Sequence, residues 1–262
     1  MSDRITSMAA DGVVTVTMDD PERDNPLRRE EYRAMHDAFR AAREGDARCV
    51  VLRGAGDAFS SGFDIEGLDP GHLEAPLPER VAAIRANEQA LAREILTHPL
   101  PTVALVDGPA IGDAAGFALA CDIRLASERA RIGLSHVRLG LGLDCGLSYT
   151  LPRRVGWGTA VDLATTGRIV DGATAAELGL VTRTVPDDAF DERADELVAD
   201  IAAGPPVALR SIKEALLHGA EADLDAALRD EAFRQAVALD TADHARAVAA
   251  LGSDERPEFE GR

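Results

Sequence analysis

The sequence predicts an α/β fold in which strands and helices alternate over the first 200 residues and only helices follow. Two observations support this prediction. Short β-branched or apolar runs alternate with segments that have apolar residues at helical spacing, an order typical of parallel α/β units. From Ala189 onward the chain contains no strand pattern. We therefore expect a core over residues 1–200 and a helical region over residues 201–262.

The strand predictions depend on four short runs. Residues Val13–Met18 are all β-branched except Met18, and valine alternates with threonine over 14–17, which predicts a half-buried strand. Residues 49–52 and 102–106 are apolar throughout and predict strands buried on both faces. A further strand is predicted at 122–126.

The helix predictions follow from apolar spacing and from helix-ending residues. Three helices are expected within the core, and the second should end before His98-Pro99. The predicted helices are 28–43, 78–97 and 113–120 in the core, then 189–203, 205–218, 222–239 and 241–250.

Composition and charge exclude several classes of function. The 262-residue chain has a formal net charge of −18, which argues against nucleic acid or an anionic membrane as a partner. No apolar run has membrane-spanning length, and the polar N-terminus lacks a signal-type segment. The three cysteines have no metal-like spacing. We therefore expect a cytoplasmic protein that binds no metal.

The acidic surface has two interpretations. Lys213 is the only lysine, and the remaining basic residues are arginines. Excess Asp and Glu with almost no Lys is typical of a halophilic protein from a high-salt cytoplasm. A GC-rich genome, which favours codons for Arg, Asp and Ala, would leave the same composition.

Two glycine-containing segments predict the chemistry. They are Asp57-Ala-Phe-Ser-Ser-Gly-Phe-Asp-Ile65 and Asp107-Gly-Pro-Ala-Ile-Gly-Asp-Ala-Ala-Gly-Phe-Ala-Leu-Ala-Cys-Asp-Ile123. Each places a glycine turn beside an apolar stretch, where backbone N–H groups can stay free for a ligand. Two such donors converging on a thioester oxygen would stabilise an enolate.

Nearly the whole chain resembles the crotonase superfamily, also called the enoyl-CoA hydratase/isomerase family. The resemblance is carried by both segments, by Asp20-Pro-Glu-Arg-Asp-Asn-Pro-Leu27, and by Gly167–Val181 and the tail. It implies a spiral of ββα units with a helical C-terminal oligomerisation region. It also implies a homotrimer or dimer of trimers that takes acyl-CoA as substrate, without a permanently bound cofactor.

The resemblance assigns site residues by position. The backbone N–H groups of Phe63 and Asp113 would form the oxyanion hole, although the family usually has a small residue where Asp113 stands. Arg23, Ser61, Asp64 and Ile65 match positions that bind CoA. Lys213 and Arg210 lie on a helix whose equivalents can reach the CoA phosphates of a neighbouring subunit.

The chain departs from the family at the two glutamates that hydratases use to hold water. Gly116 and His136 occupy these positions, which argues against hydratase activity. Asp144 stands where several family isomerases have an Asp, and one carboxylate is enough for a 1,3-proton shift. We therefore predict a double-bond isomerase with Asp144 as base, assisted by His136. The alternatives are that Asp144 caps the following helix and that His136 is only packed.

Other functions remain open on the sequence alone. The segment around Asp144 also resembles 4-chlorobenzoyl-CoA dehalogenases, but Gln89 falls near the place of their helper histidine. Glu88 and Gln89 are weaker acid/base candidates. A non-catalytic acyl-CoA-binding protein, or a hydrolase, retro-Claisen enzyme or hydratase that uses His136 and Asp144, would retain the same pocket.

Overall fold

Nine strands are present in residues 2–67, 74–252 and 257–261, which are the residues that the structure, a computed structural model, describes. The strands are β1 (Ile5–Ala10), β2 (Val13–Met18), β3 (Cys49–Gly54), β4 (Thr102–Val106), β5 (Pro109–Ile111), β6 (Ile123–Ser127), β7 (Arg131–Gly133), β8 (Ile169–Asp171) and β9 (Arg183–Val185).

The strands form two sheets. The larger sheet has the order β1-β2-β3-β4-β6-β9, in which β1 and β2 are antiparallel and all other neighbours are parallel. The smaller sheet has the order β5-β7-β8. Along the chain, β5 follows β4 directly and β7 follows β6 directly. The predicted α/β class is therefore confirmed.

Eleven α-helices connect and cover the strands within the described ranges. They are α1 (Arg29–Glu44), α2 (Leu77–Ala86), α3 (Glu88–Leu96), α4 (Asp113–Ala120), α5 (Leu147–Val155), α6 (Trp157–Thr166), α7 (Gly172–Leu178), α8 (Phe190–Ala202), α9 (Pro206–Gly219), α10 (Leu224–Leu239) and α11 (Ala242–Ala249). None of the described helices is both long enough and apolar enough to cross a membrane.

The predicted helix over 78–97 is two helices, α2 and α3. They separate at Asn87, whose backbone angles of φ −120° and ψ −81° are not helical. The Asn87 amide donates to the Ala83 carbonyl at 2.5 Å, and its oxygen accepts from Arg33 at 2.8 Å. Asparagine hydrogen bonds of this kind compete with the helical backbone pattern, and apolar spacing alone does not reveal them.

The central strands β3 and β4 are buried on both faces, as their apolar runs predict. Val50 and Leu52 of β3 pack on the face covered by α1, α3 and α4, together with Phe39 and Phe117. Cys49 and Val51 point to the opposite face, which packs against α8. This alternation fixes the register of β3, because a shift of one residue would exchange the two faces. The predicted boundary at residue 200 falls inside α8.

Lys213 anchors the helical region to the sheet. Its side chain is buried, and its ammonium lies 2.7 Å from Asp122 and donates to the Leu100 carbonyl at 3.0 Å. The same Asp122 carboxylate accepts two hydrogen bonds from Thr102 at the start of β4. Burial of Lys213 and its two contacts within its own chain argue against the expectation that it reaches the CoA of a neighbouring subunit.

Removal of the Lys213 charge should weaken the fold. Lys213→Met leaves the Leu100 carbonyl buried and the partly buried Asp122 without its cation. Since Asp122 is still about one-third exposed, we expect a loss of about 2 kcal/mol in the free energy of unfolding, below the range for a fully buried pair. Denaturant titration measures this loss.

Arg193→Met is the matched control. Arg193 pairs with Glu196 on the surface of α8, so its loss should change the free energy of unfolding by about 0.5 kcal/mol or less. Equal effects for the two variants would contradict the anchoring role of Lys213.

Candidate active site

The first predicted oxyanion segment is shaped by Asn25. This residue is buried with φ +53°, and its amide donates to the carbonyls of Ala55 and Ala58 at 2.9 and 2.8 Å. The Ser60 hydroxyl donates to the Asn25 carbonyl and accepts from the N–H of Gly62. These bonds hold the loop while the N–H of Phe63 has no acceptor among the described residues.

The second segment places Asp113 at the first position of α4. Residues at the start of a helix have no intrahelical acceptor for their N–H groups, and the Asp113 N–H has none elsewhere in the described chain. Gly112 precedes it with φ +58°. The helix dipole adds partial positive charge at this end of α4.

Gly62 brings the two segments together. A Cβ atom at this position would lie 2.3 Å from the Ile111 carbonyl oxygen and 3.5 Å from the Asp113 nitrogen, and its φ is +85°. Only glycine allows this approach. The loops that carry the Phe63 and Asp113 N–H groups are therefore in contact, as the oxyanion-hole prediction requires, although their catalytic role remains a prediction.

The carboxylate of Asp113 is part of a chain of hydrogen bonds with two other buried side chains. Its Oδ2 accepts from the hydroxyl of Tyr32 at 2.7 Å, and its Oδ1 lies 3.0 Å from Nε2 of His136. The three residues come from α1, from the start of α4, and from a 3₁₀ helix (Ser135–Leu139) that follows β7. All three are buried, and the Tyr32 ring also packs edge-on against Phe117.

Tyr32 is the residue that sequence reasoning missed. Its position in an apolar helical stripe indicates a core residue, and its ring is indeed in the core. Only the long-range approach of α1 to α4 reveals a role for its hydroxyl. His136 is likewise hydrogen-bonded to Asp113 rather than to Asp144, and its Nδ1 is buried without a partner in the described chain.

Asp144 does not cap the helix that follows it. Its Oδ1 accepts from the N–H of Cys145 at 2.7 Å and from the Gln89 amide at 3.3 Å. Helix α5 begins at Leu147 without a side-chain cap. The capping alternative is therefore wrong. Burial raises the pKa of Asp144 above its ordinary value, while the bonds from Cys145 and Gln89 oppose this rise.

Glu88 lies close enough to Asp113 and Asp144 for their charges to affect its pKa. Its side chain is 7% exposed, and its Oε2 atom is buried without a partner in the described ranges. Burial is the main cause that raises the pKa of Glu88 to about 7, and the charges of Asp113 and Asp144 add to the rise. A carboxylate with this pKa can hold or release a proton near neutral pH.

Gly116 has no space for a side chain. A Cβ atom there would lie 2.7 Å from the Cβ of Cys145, with Leu147 also close. The position of the first hydratase glutamate therefore holds a glycine, and the packing around it leaves no room for a glutamate side chain.

The four residues predicted to bind CoA line one cavity of about 380 Å³, together with Phe63. Ser61 and Ile65 are exposed to it. The Asp64 carboxylate is buried and pairs with Arg23 at 3.1 Å and Arg28 at 2.8 Å. Asp64 thus fixes the guanidinium of Arg23 at the cavity. Within the described ranges, no group of three or more His, Cys, Asp or Glu side chains is arranged to hold a metal ion.

Ionisation of Glu88 should make the folded protein less stable as the pH rises. The folded state keeps a proton with a pKa of about 7, whereas the ordinary value is 4.5, so the unfolded state releases the proton first. The free energy of unfolding should fall across this interval by up to about 3 kcal/mol. Glu88→Gln should remove that part of the pH dependence in denaturant titrations.

Glu177→Gln serves as the control because Glu177 is exposed on α7. Its curve of stability against pH should follow that of the wild type. A Glu88→Gln curve that also runs parallel to the wild type would show that Glu88 ionises normally in the fold.

Comparisons with known proteins identify the family. The family model described as enoyl-CoA hydratase/isomerase matches residues 8–262. The "Putative enoyl-CoA hydratase" of Thermus thermophilus is 36% identical, in a match that covers 94% of this chain and 97% of that protein. The 1,2-epoxyphenylacetyl-CoA isomerase of Escherichia coli is 31% identical over the full length of both chains.

A solved structure agrees with the sequence matches. The crystal structure of a "putative enoyl-CoA hydratase" from Streptomyces coelicolor superposes with a TM-score of 0.93 at 31% identity, covering 99% of this chain and 94% of that one. The predicted crotonase-type fold is confirmed by this match. The chain therefore belongs to the enoyl-CoA hydratase/isomerase family of enzymes, within the crotonase superfamily.

Proposed function

We propose that the protein is an acyl-CoA double-bond isomerase in which Asp144 is the base. The observation that carries this proposal is the state of the Asp144 carboxylate. One oxygen is fixed by Cys145 and Gln89, and the other has no donor among the described residues. That oxygen therefore remains available to remove a proton from a substrate carbon. Burial also raises the pKa of the Asp144 carboxyl group.

The two hydratase positions support isomerisation over hydration. Gly116 has no room for a carboxylate, and Nε2 of His136 is hydrogen-bonded to Asp113. Water addition needs groups that hold and activate a water, whereas a 1,3-proton shift needs only one group that removes and returns a proton. The Escherichia coli relative is, by its name, also an isomerase of a CoA thioester.

The proposed step balances with one carboxylate. Asp144 removes a proton from the α-carbon of a 3-enoyl thioester, and the C–H electrons move toward the carbonyl to give a dienolate. The N–H groups of Phe63 and Asp113 donate to the enolate oxygen, on which negative charge develops in the transition state. Protonated Asp144 then returns the proton to the γ-carbon, and the product is a 2-enoyl thioester.

The cavity beside Phe63 is the proposed site of the CoA moiety. Arg23 is held there by Asp64, so its guanidinium can face a phosphate with little loss of side-chain freedom. Ser61 and Ile65 would contact the pantetheine path that leads to the Phe63 N–H. CoA bound in this cavity would position its thioester at the contact between the two loops.

Replacement of Asp144 tests the proposal directly. Asp144→Asn keeps an oxygen that can accept from Cys145 and Gln89 but removes the base. We expect turnover of a 3-enoyl-CoA to fall by about 100-fold or more, since general acid–base catalysis contributes at least this much. The measurement is the initial rate of 2-enoyl-CoA formation.

Two further variants make the result specific. Glu177→Gln removes an exposed carboxylate and should leave the rate unchanged. Arg23→Ala should raise KM with little effect on kcat, because it removes binding that is equal in substrate and transition state. Unchanged turnover in Asp144→Asn would exclude Asp144 from the mechanism.

We also propose that the helical region binds further copies of this chain, as a homotrimer or dimer of trimers. Supporting this, α9 and α10 have large apolar side chains that are more than half exposed, whereas their only buried residue is Lys213. A groove of about 550 Å³ lies between them, lined in part by Ile212 and Leu228. Apolar surface of this kind typically marks a contact with another protein.

Self-association can be tested with one charge. Phe233 is 71% exposed on α10, so Phe233→Glu should be tolerated by the fold but should lower the molar mass measured by light scattering. Leu77→Glu, a similarly exposed site on α2, is the control and should leave the mass unchanged. A wild-type protein that is monomeric at assay concentration would contradict the proposal.

A further inference from the structure

We propose that Tyr32 and His136 are positioning residues that hold the Asp113 carboxylate away from the thioester oxygen, so that a residue with a charged side chain can supply an oxyanion-hole N–H. This inference rests on the proposed role of the Asp113 N–H. It assigns His136 to Asp113, rather than to direct proton transfer with Asp144.

The position of Asp113 creates the need for such restraint. The N–H that would stabilise the enolate and the carboxylate that would repel it belong to the same residue. Two like charges in a site of low dielectric repel each other strongly when they are only a few ångströms apart.

The hydrogen bonds resolve the conflict by using both carboxylate oxygens. Tyr32 donates to Oδ2 at 2.7 Å, and Nε2 of His136 lies 3.0 Å from Oδ1. An ionised carboxylate only accepts, so the ring nitrogen that faces it carries the proton. The side chain is thereby fixed in one direction, toward α1 and the 3₁₀ helix.

Helix capping does not explain these contacts. The residue before α4 is Gly112, and no side chain accepts from the first turn of the helix. Tyr32 is 81 residues distant in sequence and His136 is 23. Two separate elements, α1 and the 3₁₀ helix, thus converge on one carboxylate of α4, next to the contact between Gly62 and the α4 turn.

The surroundings show why the charge of Asp113 matters. Burial is the main cause that raises the pKa of Glu88, Asp144 and Cys145, and the nearby negative charge of Asp113 adds to the rise in each of them. Arg29 contributes positive charge near Glu88. Burial and the Asp113 charge also raise the pKa of Tyr32 well above its ordinary value, so its hydroxyl stays a donor across the working pH range.

The test is a set of substitutions at Tyr32 and His136 made in two backgrounds, wild type and Asp113→Ala. In the wild-type background, Tyr32→Phe and His136→Leu should each lower kcat for a 3-enoyl-CoA by about tenfold, as expected for a lost hydrogen bond to a charged group. In the Asp113→Ala background the same substitutions should lower kcat by about twofold or less, because no carboxylate remains to be held.

A conservative variant separates positioning from proton transfer. In His136→Gln the amide can still donate to Asp113, so kcat should stay within about threefold of the wild type. If His136 transferred protons itself, Gln would be as harmful as Leu, and the loss would be equal in both backgrounds. Either result would overturn the proposal.

A spectroscopic readout covers variants that are poorly active or poorly folded. The infrared carbonyl band of a bound, ¹³C-labelled saturated acyl-CoA reports polarisation of the thioester. Binding should shift this band to lower frequency in the wild type, and Tyr32→Phe should reverse part of the shift while the melting temperature records any loss of stability. An unchanged band in both Tyr32→Phe and His136→Leu would show that the contacts are only structural.

The two proposals can fail separately. Asp144→Asn should lower turnover by about 100-fold or more but leave the carbonyl band of the bound thioester shifted, since the proposed oxyanion hole is unchanged. If Asp144 proves not to be the base, the band and its response to Tyr32→Phe still decide the role of the hydrogen-bonded chain.

Discussion

The close approach of Gly62 to the turn before α4 is the constraint on which the site depends. Any side chain at this position would collide with the Ile111 carbonyl oxygen, which is 2.3 Å from a Cβ built there. The contact holds the loop that carries the Phe63 N–H against the turn that carries the Asp113 N–H. Asn25 and Ser60 stabilise the first loop, and the parallel strands β3 and β4 bring both loops to one edge of the sheet.

Negative charge is the second constraint, because the proposed enolate would form near several carboxylates. The protein limits this charge locally. Hydrogen bonds from Tyr32 and His136 engage the Asp113 carboxylate, and burial raises the pKa of Glu88 to about 7 and that of Asp144 above its ordinary value. A raised pKa is also what a base needs if it is to return the proton that it removes. The same burial therefore limits repulsion and prepares the proposed proton transfer.

The sequence predicts much of the fold, because long apolar periods determine the main elements. The strands at 13–18 and 102–106 and the helix at 113–120 lie where their patterns place them. The edge strand β1 and the three-residue strands β5, β7, β8 and β9 have too few residues, or too little burial, to leave a pattern. The two oxyanion loops follow from glycine positions. The Tyr32–Asp113–His136 chain does not, since its hydrogen bonds join residues that are distant in sequence.

Enolate formation at this site can be measured as exchange of the α-proton of a bound saturated acyl-CoA with deuterium from solvent. It requires enolate stabilisation and a base but no double bond to move. We expect exchange, followed by NMR, that is clearly faster than in enzyme-free solution and that is lost in Asp144→Asn. Exchange no faster than in enzyme-free solution, under conditions where the acyl-CoA is bound, would contradict the proposed mechanism.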